Sequence, residues 1–104
     1  MTEPVYGPTG AGTVVLNLGP GAGALILTTG PEANGREIEI SPAGQPGARR
    51  VHAQVRERPA RGRTGYAAVY PDLAPGRYTV WRDQGTAAGS VTVPGGAVAR
   101  FDLT

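Results

Sequence analysis

Short apolar runs alternate with polar residues along most of the chain, and glycine or proline closes almost every run. Residues 13–18 (TVVLNL) stop at Gly19-Pro20-Gly21, and 24–29 (ALILTT) at Gly30-Pro31. Residues 36–41 (REIEIS) stop at Pro42, and 50–58 (RVHAQVRER) at Pro59. Residues 64–70 stop at Pro71, 77–82 (RYTVWR) at Asp83-Gln84-Gly85, and 88–93 (AGSVTV) at Pro94-Gly95-Gly96; 97–103 (AVARFDL) close the chain. The pattern predicts eight strands with turn signals every ~8–12 residues, the spacing of a β-sandwich or barrel. No window of about 11 or more residues keeps a helical period free of glycine and proline. Residues 1–12 (MTEPVYGPTGAG) lack the alternation and read as a flexible arm. The folded domain is therefore expected over 13–104.

Alternation also assigns faces, because successive side chains of a strand point to opposite sides. Ile38 and Ile40 point inward, with Glu37 and Glu39 outward. Val51, Ala53 and Val55 point inward, with His52, Gln54 and Arg56 outward. An antiparallel pairing of these two runs would set the two glutamates against a His/Arg row. Opposite charges across strands stabilise by about 0.2–1 kcal/mol per pair. On the last run Ala99, Phe101 and Leu103 point inward, Arg100 and Asp102 outward. The run 24–29 is apolar on both faces, as a central strand would be.

Composition changes this picture in three places. Gly 17 and Pro 10 among 104 residues would suggest low complexity, but most of them fall between the alternating runs as turn punctuation. Cysteine is absent, histidine single, and all ten basic residues are arginine. That inventory excludes disulfide scaffolds, thiol catalysis and multi-histidine metal centres. Net charge is only +2, so the basic excess is a weak pointer to anionic partners. No apolar run reaches the ~18 residues of a membrane helix. The N-terminus has neither a basic nor an apolar signal segment, which makes the cytoplasm the default location.

The segment Leu73-Ala74-Pro75-Gly76-Arg77-Tyr78 has the spacing of a tyrosine corner. In such a corner an early-strand Tyr hydrogen-bonds back to the chain a few residues upstream, across the turn between sheets. Leu73, Gly76 and Tyr78 are expected to be structural. Residues 66–103 (YAAVYPDLAPGRYTVWRDQGTAAGSVTVPGGAVARFDL), with their L-x-P-G-x-Y-x-V turn and strand, resemble the closing half of transthyretin-like (prealbumin-like) domains. The carboxypeptidase regulatory-like and collagen-adhesin B-type modules belong to that group. The resemblance implies a single antiparallel Greek-key β-sandwich of seven or eight strands. GTVVLNLGPGAGALILTT, GREIEIS and HAQVRER together resemble a set of small actinobacterial all-β proteins, some of them labelled phospholipase. Relatives in that set often carry a His-rich arm and an Asp where this chain has Asn17.

Candidate chemistry is sparse. Gly19 to Gly23 resembles a phosphate-cradling loop, but such a loop must open a helix, and a strand follows it. His52 as a general base needs a nucleophile and an orienting group within reach. The only serines, Ser41 and Ser90, are not in a nucleophile-elbow context. Glu37 and Glu39 as a glycosidase-type pair would need a cleft. No phospholipase chemistry is supported by these residues, and no catalytic residue, metal or cofactor is assigned. Two surfaces remain. Tyr66, Tyr70, Arg77 and Trp81 could form an aromatic–Arg face suited to a protein partner or a homo-oligomer. Arg49, Arg50, Arg56, Arg58, Arg61 and Arg63 could grip a polyanion or nucleic acid. The leading expectation is a non-enzymatic structural or interaction module that self-associates or binds a protein, with anion binding as the alternative.

Overall fold

The structure, a computed structural model, describes residues 21–45, 47–60 and 62–103. The expected arm (1–12), the expected strand 13–18 and Arg61 lie outside the described residues. The chain is all-β. Its strands are β1 (Gly23–Thr29), β2 (Glu37–Pro42), β3 (Val51–Gln54), β4 (Arg56–Ala60), β5 (Arg63–Leu73), β6 (Gly76–Trp81), β7 (Ala87–Val93) and β8 (Val98–Asp102), with one 3-10 turn at Pro31–Ala33. They form two four-stranded sheets, β4-β5-β1-β8 (the first sheet) and β3-β2-β6-β7 (the second). Among the described residues no helix is long and apolar enough to cross a membrane.

The core lies between the sheets. Leu25 and Leu27 from β1 and Ala68, Tyr70 and Leu73 from β5 meet Ile38 and Ile40 from β2 and Tyr78 and Val80 from β6. Alternation explains the selection in β2 and β6, whose inward residues are apolar and whose outward neighbours are polar or aromatic. β5 also carries apolar residues outward, Ala67 and Val69, and β1, central in the first sheet, is apolar on both sides. Its outward Ile26 is fully buried with Ala67, and Val69 and Val98 pack against them on the outer side of the first sheet.

Four features depart from the sequence reading. The run 50–58 is two strands: β3 pairs with β2, while β4 pairs with β5 in the other sheet. The chain crosses between sheets at Val55, which is buried and bonded on both sides of its backbone. Its N–H donates to Arg36 O at 2.8 Å, and its C=O accepts from Gly35 N at 2.9 Å. Val51, expected inward, is 40% exposed, because it begins a strand at the edge of its sheet. The sandwich is also not wholly antiparallel, since β8 runs parallel to β1. The turn after β7 brings β8 in at the end where β1 begins: Gly96 N donates to Ala22 O (2.7 Å) and Ala24 N to Ala97 O (3.1 Å).

β5 continues through Pro71, where the sequence reading ends it. Between Leu25↔Tyr70 and Gly23↔Leu73 the register shifts, with two residues of β5 facing one of β1, and Asp72 takes φ 55°. This is a β-bulge. β4 pairs with β5 only as far as Ala67, so Pro71 is spared a ladder partner on that side. The turn to β6 follows. Tyr78 Oη donates to Ala74 O at 2.7 Å, four residues upstream, and Leu73 beneath it is buried. Gly76 has φ 149°, a conformation that a side chain would strain. Tyr78→Phe removes this hydrogen bond and is expected to cost about 1–2 kcal/mol in a urea titration. An unchanged midpoint would contradict a stabilising corner.

Candidate functional site

The outer face of the second sheet carries a connected row of polar side chains. β2 exports Glu37, Glu39 and Ser41, and β6 exports Arg77, Thr79 and Trp81. Register sets Glu39 beside both His52 and Trp81, and Ser41 beside Thr79. Trp81 is half-buried and lies outside the core, where its Nε1 donates to Ser41 Oγ at 2.9 Å. Ser41 is the one buried polar residue among those described.

Arg50, just before β3, reaches over this row. Its guanidinium stacks 3.8 Å from the centre of the Trp81 ring. Nη1 donates to Glu39 Oε1 at 2.9 Å and Nη2 to Gln84 O at 3.0 Å. A partly exposed cation–π contact contributes about 0.5–1 kcal/mol, and a pair such as Arg50–Glu39 adds at most a similar amount. The indole is therefore fixed from its nitrogen, from one ring face and through its strand. His52 Nδ1 lies 3.5 Å from Glu37 Oε1, with both side chains more than half exposed. A cleft of about 280 Å³ opens beside the indole, lined by Arg36, Glu37, Glu39, Trp81, Arg82 and Asp83. Arg36 Nη2 donates to Arg82 O at 3.2 Å. A hydrogen bond from Gly85 N–H, helped by Thr86 and Arg82, holds the Asp83 carboxyl below the usual range.

The four aromatic and Arg candidates do not share a surface. Arg77 and Trp81 are outward on the second sheet, but Tyr66 and Tyr70 take the inward phase of β5 in the first sheet. Tyr70 is buried in the core and Tyr66 packs against it. The reason is phase: Ala68 between them is a core residue, so its alternate neighbours face the core as well. Tyr70 Oη donates across the sandwich to Ile38 O at 2.6 Å. Burial, and secondarily Glu39, push its hydroxyl pKa well above the ordinary value.

The six arginines are also divided. Arg50 serves the Trp81 row. Arg56 and Arg58 lie on the opposite side of the molecule, on the outer face of the first sheet, in register with Ala67 and Gly65. Arg63, paired with Ala60, shares their phase. Arg49 is exposed, and Arg61 lies outside the described residues. Arg58 Nε donates to Ala67 O at 3.3 Å. Burial, and then the neighbouring Arg56, lower its guanidinium pKa.

The residues weighed for catalysis are similarly dispersed. Ser41 accepts from Trp81 and Ser90 Oγ from Arg77 Nε (3.4 Å), while His52 stands against Glu37. Among the described residues no three His, Asp or Glu side chains gather as a metal site. Sequence reasoning missed Glu39, Ser41, Arg50 and Gln84 as companions of Trp81. Their outward phase is legible, but the β2–β6 adjacency that unites them is not written locally. Comparison of the chain with protein-family models, with curated proteins and with solved structures finds no match.

Proposed function

We propose that this domain is a non-enzymatic interaction module that contacts protein, foremost a second copy of itself, through the outer face of its second sheet. One observation carries the reading: Trp81 stands outside the core, anchored by Ser41 and capped by Arg50. Trp and Arg dominate the energetics of protein interfaces. A side chain already held in place loses less conformational freedom when a partner arrives. The transthyretin-like, Greek-key arrangement belongs to the same reading, supported by the Tyr78 corner and by the two four-stranded sheets.

Static light scattering over a concentration series tests it. A mass that rises above 10.6 kDa with concentration, and falls back in Trp81→Ala while the circular dichroism is unchanged, is the expected result. A wild-type monomer at every concentration, or association indifferent to the substitution, removes the reading. The narrower alternative, polyanion binding, rests on Arg56, Arg58 and Arg63 sharing one face of the β4–β5 hairpin. Its signature is salt-dependent retention of RNA, which the protein-contact reading does not require.

A further inference from the structure

The outer face of the second sheet is charged unevenly along its strands, and the unevenness is symmetric about one row. Ile40 and Val80 are paired across β2 and β6, which run antiparallel. Glu37 lies three residues before Ile40 and Arg77 three residues before Val80, so they stand at opposite ends of the face. At ~3.3 Å per residue each is about 10 Å from the Ile40–Val80 row. Both are exposed and both point outward. Glu37 lines the cleft beside Trp81. Arg77 is held by one long hydrogen bond, Nε to Ser90 Oγ at 3.4 Å.

We infer that this face is occupied by a second copy of the chain. The two copies are related by a two-fold axis that runs parallel to the sheet, midway between the two facing sheets, across the strands and above the Ile40–Val80 row. A half-turn about that axis lays one face on the other and exchanges its two ends. Arg77 of each copy then sits over Glu37 of the other, two identical ion pairs from one contact. This is the self-complementarity an isologous dimer requires. The cleft is wide enough to receive a guanidinium; of the carboxylates in its lining Glu39 is already paired with Arg50, and Glu37 and Asp83 remain to meet the incoming charge. Arg36 is already turned toward Arg82 O. Arg50 covers one face of the indole, so the incoming arginine enters beside the ring. The arrangement rests on the self-association reading above, but it makes a separate claim about which residues meet.

Sedimentation of wild type, Arg77→Glu, Glu37→Arg and an equimolar mixture of the two variants at low salt separates the possibilities. Either variant alone sets like charges against each other twice, and its dimer is expected to weaken by at least about tenfold. In the mixture each pair is again of opposite sign, and a dimer of one chain of each kind returns. A wild-type dimer untouched by either variant overturns this arrangement and leaves self-association standing. Variants that lose the dimer without regaining it on mixing also overturn it. A wild type that remains monomeric up to ~1 mM overturns both claims. Circular dichroism of each variant confirms that loss of the dimer is not loss of the fold.

Discussion

Val55→Asp is expected to leave the domain unfolded at room temperature. Val55 is buried at the crossing between the sheets, with both backbone groups bonded to the Gly35–Arg36 segment. Removing the valine forfeits about 1.5–3 kcal/mol of apolar burial. The carboxylate must then be desolvated or protonated among Ile, Leu and Val side chains, at a further cost of several kcal/mol. A small domain holds about 5–15 kcal/mol in total, and this one has a core of mostly short aliphatic side chains. Loss of the β-sheet circular dichroism signal checks the prediction. A cooperative melt near that of wild type would mean that the crossing is not a fixed part of the fold.

Tyr70→Phe is expected to destabilise by about 1–3 kcal/mol, because the substitution removes the buried hydrogen bond that the hydroxyl donates to the Ile38 carbonyl. The same residue makes stability depend on alkaline pH, and the sign follows from its raised pKa. In the unfolded chain a tyrosine ionises near pH ~10. In the fold Tyr70 keeps its proton to higher pH, through burial first and Glu39 second. Above that pH the unfolded state binds fewer protons than the folded one, so stability falls as pH rises. The contribution of Tyr70 is fully present below pH ~10 and drains away above it. Tyr70→Phe should therefore flatten the alkaline slope of the urea midpoint as well as lower the midpoint. Tyr78, whose pKa burial also raises, remains in the variant, so the slope is reduced rather than abolished. An equal slope in both proteins would show that the Tyr70 hydroxyl is not held as described.

Alternation made most of the strands legible, and the Ile38/Ile40 against Glu37/Glu39 division holds in the fold. It could not reveal the sheet change at Val55. The phase of 50–58 runs on unbroken, with His52, Gln54, Arg56 and Arg58 all outward, although the first two belong to one sheet and the last two to the other. Nothing in a period of two marks such a crossing. The same blindness explains the site. Trp81 was legible as outward from its phase against Tyr78 and Val80. Its companions come from β2 and from the residue before β3, 31 positions away in the case of Arg50, and only tertiary pairing brings them together. Tyr66 and Tyr70 were misgrouped with Trp81 because aromatic character was read without knowing which sheet carried each. The turn at Leu73–Tyr78 was the most local signal, and its hydrogen bond closes within four residues.

Trp81 is the only tryptophan in the chain, so its fluorescence reports one indole without ambiguity. If this indole belongs to a contact surface, acrylamide quenching across a protein concentration series reports its covering. The quenching constant is expected to fall as concentration rises, because a second molecule covers the ring. A quenching constant that stays the same from dilute to concentrated solution would contradict that placement.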